Sequence, residues 1–159
     1  MKNYIDKFAR ELDNNNMELR EDVFFLIKHL SKCLELSLDK EAASLDLTPQ
    51  QGRLLRFLII KQNRNEKVRQ IDIEERFQLS KSTVSGLIKR MQCKKLIYKK
   101  IEKHNIYIYP SEDGIKLMKL FDEKVDVIRN KVMQSLKKEE AESLITNLNK
   151  LLIGIKEES

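Results

Sequence analysis

The segment from Gln70 to Met91 constrains the fold more than any other part of this sequence. Residues 70–77 predict a short helix, Gln78 and Leu79 a tight turn, and Ser80 the N-cap of a second helix. Apolar side chains recur at a spacing that would turn them inward: Ile73, Phe77, Leu79, Val84, Leu87, Ile88 and Met91. Two helices joined by so short a turn predict a helix-turn-helix.

Helices are also predicted on both sides of this segment, because the chain has only 4 Gly and 2 Pro to interrupt them. Thr48, Pro49 and Gln51 form a strong start signal, with Thr48 as N-cap and Gln51 as its capping-box partner. Before it we predict a short helix within residues 4–12 and a long one from about Leu19 to about Leu38.

A β-hairpin is predicted directly after the second helix of the motif. Leu96 to Ile101 and Ile106 to Tyr109 alternate and are rich in Ile and Tyr, with residues 102–105 as the tip. A basic hairpin in this position is a wing. The predicted fold class is therefore mainly α, a winged helix-turn-helix with additional N- and C-terminal helices.

Nearly all of the net charge lies in one stretch. The chain carries 31 Lys and Arg against 25 Asp and Glu, a net charge of +6. Between Gln78 and His104 there are eight basic residues and one acid, Glu102. Eight minus one gives +7 for that stretch, and six minus seven gives −1 for the rest. A concentrated basic patch is the electrostatic footprint of phosphate contact.

The exposed face predicted for the second helix has small hydroxyl side chains near its N-terminus and cations further along. A helix that reads the major groove needs small polar side chains where it approaches the bases and cations beside the phosphates. We therefore predict double-stranded DNA as the partner. The predicted contacts on the recognition helix are Ser80, Lys81, Ser82, Thr83, Ser85, Gly86, Lys89 and Arg90. Those on the wing and its flanks are Gln70, Lys99, Lys100, Lys103 and His104.

After Pro110 the chain is predicted to be helical to its end, with two apolar seams. Exposed seams of this length favour a partner, which we predict to be a second copy of the chain. The predicted dimerisation residues are Phe121, Val125, Ile128, Leu144, Leu148 and Leu151. The predicted organisation is residues 1–46 for N-terminal dimerisation helices, 47–110 for the DNA-binding domain and 111–159 for C-terminal dimerisation helices.

Other functional classes lack their signatures. The two histidines, His29 and His104, have no metal-ligand spacing around them, and no nucleophile, acid–base pair or glycine-rich phosphate loop appears. We predict neither an enzyme nor a cofactor. Cys33 and Cys93 lie far apart, and residues 1–16 have no apolar signal segment. These features favour the cytoplasm, free thiols and no membrane partner; a redox role for either cysteine stays open.

In its order of elements the chain resembles the MarR (multiple-antibiotic-resistance regulator) family, from about Leu26 to Ile155. The resemblance is carried by residues 47–51, 70–77, 80–91, 95–97 and 111–114. It implies a homodimer with interlocked terminal helices, whose winged lobes bind a palindrome. It also implies a transcriptional repressor released by a small amphipathic aromatic ligand. In this chain the wing tip is shorter than in the family and lacks its Asp and Arg.

Two alternatives remain open at the sequence level. The long helices and the basic patch would also suit an interaction module that binds an acidic protein. RNA or single-strand binding would need exposed aromatic side chains for stacking, for which Tyr98, Tyr107 and Tyr109 are candidates.

Overall fold

A computed structural model describes residues 22–157, without the side chains of 156 and 157. The short helix predicted within residues 4–12 and the predicted start at Leu19 lie outside the described residues. The elements in chain order are α1 (Val23–Ser44), α2 (Pro49–Asn63), α3 (Gln70–Phe77), α4 (Lys81–Cys93), β1 (Ile97–Glu102), β2 (Asn105–Pro110), α5 (Glu112–Met133) and α6 (Lys138–Glu157). The chain divides within α5, after Glu123, into two compact units.

Helix α1 begins at Val23, where the carboxylate of Asp22 accepts hydrogen bonds from the amides of Phe24 at 2.8 Å and Phe25 at 3.2 Å. It continues past the predicted end at Leu38 to Ser44, so that predicted end is wrong. The last turns contain no apolar stripe, because Ala42 is the single buried residue of this helix. A periodicity argument has little to detect in such a segment.

Helix α2 begins with the predicted capping box. The amide of Gln51 donates to Thr48 Oγ1 at 3.3 Å, and the Gln51 side chain accepts from the amide of Thr48 at 3.0 Å. These two bonds satisfy groups that a helix N-terminus otherwise leaves without partners. The side chains of Leu54, Leu55 and Leu58 are fully buried, which places α2 at the centre of the first unit's core.

The helix-turn-helix forms as predicted. Gln78 takes the left-handed conformation with φ of 52° and ends α3, and Ser80 then caps α4. The predicted inward residues Ile73, Val84 and Ile88 are fully buried. They share one core with α2, the base of the hairpin and Met118 of α5.

Strands β1 and β2 pair antiparallel, and each includes residues that were predicted to form the tip. Ile97 lies opposite Pro110, and Glu102 lies opposite Asn105. The tip is therefore a two-residue turn, Lys103 and His104, with φ of 44° and 68°. Positive φ at both central residues matches the right-handed twist of the flanking strands. The predicted four-residue tip is wrong because strand pairing continues one residue further on each side.

The hairpin is also joined to the connection between α2 and α3. The amide of Ile108 donates to the carbonyl of Val68 at 2.8 Å. Both residues are buried. The wing is therefore continuous with the core at its base.

Helix α5 starts in the first unit. The hydroxyl of Ser111 accepts from the amide of Gly114 at 3.0 Å and donates to the carbonyl of Lys95. Helix α6 belongs to the second unit, and Glu140 accepts from the amide of Lys137 at 2.7 Å just before its first turn. Within residues 22–157, no helix combines the length and apolarity needed to cross a membrane.

Candidate nucleic-acid interface

The N-terminus of α4 holds three hydroxyl groups close together. Ser80 Oγ accepts from the amide of Thr83 at 3.2 Å, and it lies 2.8 Å from Thr83 Oγ1 and 3.0 Å from Ser82 Oγ. The cap thus orders the hydroxyls of Ser82 and Thr83 at the exposed end of the helix. Hydroxyls donate and accept, so they suit either base edges or phosphate oxygens.

The exposed face of α4 is the predicted one. Lys81, Ser82, Thr83, Ser85, Lys89 and Arg90 are exposed, whereas Val84, Leu87 and Ile88 are buried on the opposite face. Gly86 is half-buried, and a Cβ there would lie 3.3 Å from the end of the Arg90 side chain. The exposed face therefore has no protruding side chain at Gly86, and it carries positive charge further along the helix.

Gln70 lies at the start of α3 beside the start of α4. Its Nε2 donates to Glu74 Oε1 at 2.9 Å and to the carbonyl of Lys81 at 3.3 Å. A shallow depression is lined by Gln70, Ser80, Lys81, Ser82 and Ser85. The structure thus brings together residues that were predicted for the recognition helix and for its flank.

The predicted wing residues are exposed, but the lysines among them differ in whether a carboxylate is paired with them. Lys99, Lys103 and His104 are exposed, and none of the ion pairs among residues 22–157 includes Lys99 or Lys103. Lys100 is also exposed, yet its Nζ lies 3.0 Å from Glu102 Oε1. At the end of α4, Lys94 similarly pairs with Asp46 at 2.8 Å. Two cations of the basic stretch are therefore already matched by carboxylates.

Glu102 is the centre of an ionic cluster that the sequence analysis missed. Its carboxylate contacts the ammonium groups of Lys67 and Lys100 and accepts from the Tyr109 hydroxyl at 3.5 Å. Lys67, and after it Lys100, lowers the pKa of Glu102 to about 2. Glu102 in turn raises the pKa of both lysines. One sequence feature could have indicated this cluster: Glu102 is the single acid in the basic stretch between Gln78 and His104.

The predicted dimerisation residues differ in exposure. In the first unit, Phe121 packs against the core and is half-buried. In the second unit, Val125, Ile128 and Leu148 are half-buried, while Leu144 and Leu151 are 40% and 45% exposed. Ile155, at the end of the predicted apolar seam of α6, is exposed as well, and α6 carries three further exposed apolar side chains that were not predicted: Ile145, Leu152 and Ile153.

A cavity of about 400 Å³ lies within the first unit, between α1, α2 and the first half of α5. Its apolar lining includes Leu38, Ala42, Leu47, Pro49, Met118 and Phe121. The charged side chains at the cavity are Glu35, Asp39, Arg53 and Arg56, and Arg56 is paired with Asp122 of α5. Gly52 also lines the cavity, and a Cβ added there would meet no atom within 4 Å.

Comparison with known proteins agrees with this geometry. Residues 45–105, which contain α2 to the wing turn, match a family model described as the MarR family. No curated protein gave a significant sequence match.

Solved structures of one Staphylococcus aureus protein resemble most of the chain. The chain is 28% identical to MepR, a transcription regulator of the multidrug efflux pump MepA, with a TM-score of 0.77 over 84% of this chain and 98% of that one. A MepR–DNA complex matches with 28% identity and a TM-score of 0.63, covering 84% and 96%. MepR bound to ethidium bromide matches with 27% identity and a TM-score of 0.64, covering 86% and 98%.

Three observations point to the same protein class. Residues 45–105 match the MarR family model, the chain forms a winged helix-turn-helix, and α4 exposes a basic face. MarR-family regulators are transcription factors rather than enzymes. The winged helix-turn-helix of this chain is that of the MarR family, and the chain is a DNA-binding transcription regulator.

Proposed function

We propose that the chain is a homodimeric repressor that binds a palindromic operator and is released by a small amphipathic aromatic ligand. In this proposal α4 of each protomer enters the major groove of one half-site. The observation that carries it is the exposed face of α4, where ordered hydroxyls adjoin exposed cations. The complex of the similar protein MepR with DNA supports the same partner.

Within α4 the roles divide by side-chain chemistry. Ser82, Thr83 and Ser85 are short enough to let the helix approach base edges, which carry the sequence information. Lys81, near the helix start, and Lys89 and Arg90, more than two turns further along, would contact phosphates. Phosphate contacts fix the position of the helix on the duplex but do not distinguish one sequence from another.

The wing would contact the DNA backbone through Lys99 and Lys103, with His104 beside them at the turn. Because the wing lacks arginine, it has no guanidinium to insert in the minor groove. Lys100 contributes less in this proposal, since its ammonium already faces Glu102.

Dimerisation is supported by apolar side chains that the described chain leaves exposed. In α6, Leu152 is 58% exposed and Ile153 is 57% exposed. In α1, Val23, Phe24 and Leu30 are exposed as well. Surfaces with this many exposed large apolar side chains mark interaction sites, and a two-fold dimer would also match a palindromic operator.

The cavity beside Gly52 is the proposed effector site. Its apolar lining suits an aromatic body, and its charged side chains suit a polar or ionised group, which together describe an amphipathic ligand. A ligand that favours a spacing of the two recognition helices unlike that of the half-sites would weaken DNA binding. The ethidium complex of MepR supports ligand binding by a similar protein.

Selection of duplexes from a random pool by the pure protein tests the DNA-binding part of the proposal. We expect an enriched palindrome whose binding survives excess random DNA, and transcription from an overlapping promoter should fall when protein is added. Equal loss of binding with any polyanion would instead support an acidic protein partner. An increase in transcription would make the protein an activator.

A cavity-filling variant tests the effector site. Gly52→Leu should retain operator affinity and lose the response to compounds that release the wild-type protein, because the new side chain occupies the cavity. Gln62→Leu, which places the same side chain at an exposed position of the same helix that does not line the cavity, is the control. An unchanged response of Gly52→Leu would place the effector elsewhere.

A further inference from the structure

The wing has two faces with different chemistry. Directly paired residues of an antiparallel hairpin project on the same side, so Tyr98, Lys100 and Glu102 share a face with Tyr109, Tyr107 and Asn105. Lys99 projects on the other face with Ile108. On the first face the Tyr98 and Tyr109 rings stack with centroids 5.5 Å apart. Glu102 therefore stands at the tip end of a packed polar and aromatic face.

Lys67 links this face to the helical part of the first unit. It lies in the connection between α2 and α3, next to the buried Val68 whose carbonyl accepts from Ile108. Its ammonium contacts Glu102 and lies 5.2 Å from the centroid of the Tyr107 ring. The hairpin is thus attached at its base by a backbone hydrogen bond and near its tip by an ion pair.

Glu102 is only partly accessible, whereas the two lysines around it are open to solvent. The side-chain exposure is 22% for Glu102, 53% for Lys67 and 61% for Lys100. Exposed ion pairs contribute little to folding stability. The same ion pairs bear on DNA binding in a different way, because an ammonium that is engaged by a carboxylate is not available to replace a phosphate counterion.

We propose that Glu102 is a positioning residue for DNA binding, which holds the wing against the helical body through Lys67 and withdraws Lys67 and Lys100 from phosphate contact. The proposal rests on the proposed function, in which the wing touches the DNA backbone. Because those withdrawn contacts would be indifferent to sequence, Glu102 lowers binding to random DNA and binding to the operator by similar factors.

The test compares Glu102→Gln with Glu75→Gln, which removes the same charge from an exposed residue of α3. For Glu102→Gln, binding to random DNA and binding to the operator should strengthen by similar factors, because the released lysines would contact phosphates. The slope of log affinity against log salt should steepen by about 0.9 for each lysine released to a phosphate. The unfolding midpoint should change little, which separates this role from a structural one. Equal effects of the two variants on affinity and slope would overturn the proposal.

A second variant separates the two roles proposed for Glu102, which are holding the wing against the helical body and withdrawing the two lysines from phosphate contact. Lys67→Met keeps the aliphatic stem beside Tyr107 but removes the ion pair to Glu102, while Lys100 stays paired. Amide exchange at residues 101–106 should quicken and operator affinity should fall, without the steeper salt slope of Glu102→Gln. Unchanged exchange and affinity would overturn the holding role.

A double variant of the wing distinguishes failure of the proposed wing contact from failure of the role proposed for Glu102. If Lys99→Gln with Lys103→Gln leaves the wild-type salt slope unchanged, the wing does not touch phosphates, and both the proposed wing contact and the role of Glu102 fail. If that double variant lowers the slope while Glu102→Gln behaves like Glu75→Gln, the proposed function stands and the role of Glu102 is refuted.

Discussion

Gly114 packs directly against the backbone of Leu96. A Cβ added at Gly114 would lie 2.2 Å from the carbonyl oxygen of Leu96 and 3.0 Å from the Leu55 side chain. The same carbonyl accepts from the amide of Ser111 at 3.0 Å, so it is held in place. The start of α5 and the segment that leads into β1 can approach this closely because residue 114 has no side chain.

Gly114→Ala should therefore destabilise the protein by about 1–3 kcal/mol, the usual cost of overpacking a well-packed site. Gly52→Ala is the matched control. It lies in a helix with open space around the added methyl, and it should stabilise the protein by up to about 1 kcal/mol through helix propensity. Denaturant unfolding of both variants measures the difference. Equal stabilities would mean that the Leu96 backbone moves aside without cost.

Ser85→Ala should weaken operator binding by about 1–3 kcal/mol if its hydroxyl contacts a base, with little change on random DNA. No hydrogen bond within the described chain involves this hydroxyl, so the unfolding midpoint should not move. Thr83→Ala should additionally loosen the α4 cap, because its hydroxyl lies 2.8 Å from that of Ser80. Titrations on operator and random duplexes distinguish the roles. Equal losses on both would assign Ser85 to a phosphate.

Neutralising Lys99 and Lys103 together should weaken operator and random binding by similar factors. The slope of log affinity against log salt should become shallower by about 0.9 for each phosphate that the wing no longer touches. Lys116→Gln with Lys119→Gln, both exposed on α5, removes the same charge from another element as a control. A changed base preference at the flanks of the operator would show that the short wing reads the minor groove.

The Glu102 carboxyl should titrate far below an ordinary glutamate. Because its pKa is lowered from 4.5 to about 2, its ion pairs are fully present above pH 4.5 and are lost as the pH falls through about 2. A carboxyl ¹³C titration by NMR measures the midpoint. Replacing Lys67 and Lys100 by Met should move that midpoint toward 4.5. A wild-type midpoint already near 4.5 would mean that the pairs do not persist in solution.

Leu144→Glu with Leu151→Glu should raise the dimer dissociation constant by at least about 100-fold, because a carboxylate buried without a partner costs several kcal/mol. Asn130→Glu, exposed on α5 and on the helix face away from Val125 and Ile128, is the control. Sedimentation at low micromolar concentration follows the oligomeric state. A folded wild-type monomer under those conditions would refute the proposed dimer.

The elements with strong local signals were predicted from sequence. Thr48 and Gln51 define the start of α2 by themselves, and the apolar spacing from Ile73 to Met91 defines α3, the turn and α4. The end of α1 was missed because Ala42 alone faces the core there. The extent of the hairpin was missed because a Lys-His turn is not a typical two-residue sequence.

The candidate site likewise has one part that could be predicted from sequence and one part that could not. The exposed residues of α4 follow from helical spacing within one element, so their common face could be predicted. The pairing of Lys67 with Glu102 joins residues that are 35 positions apart, and no spacing rule connects them. Such contacts depend on how the α2–α3 connection and the hairpin pack, which requires the tertiary structure.

The open space over Gly52 makes two traits of this regulator separable. A Cβ at that position would meet no atom within 4 Å, so a small side chain there would change the shape of the cavity without displacing a neighbour, and none of the α4 residues proposed to contact DNA lines that cavity. Under the proposed function, the range of effector compounds could therefore diverge between relatives by single substitutions in this cavity, while the operator that they recognise is inherited unchanged.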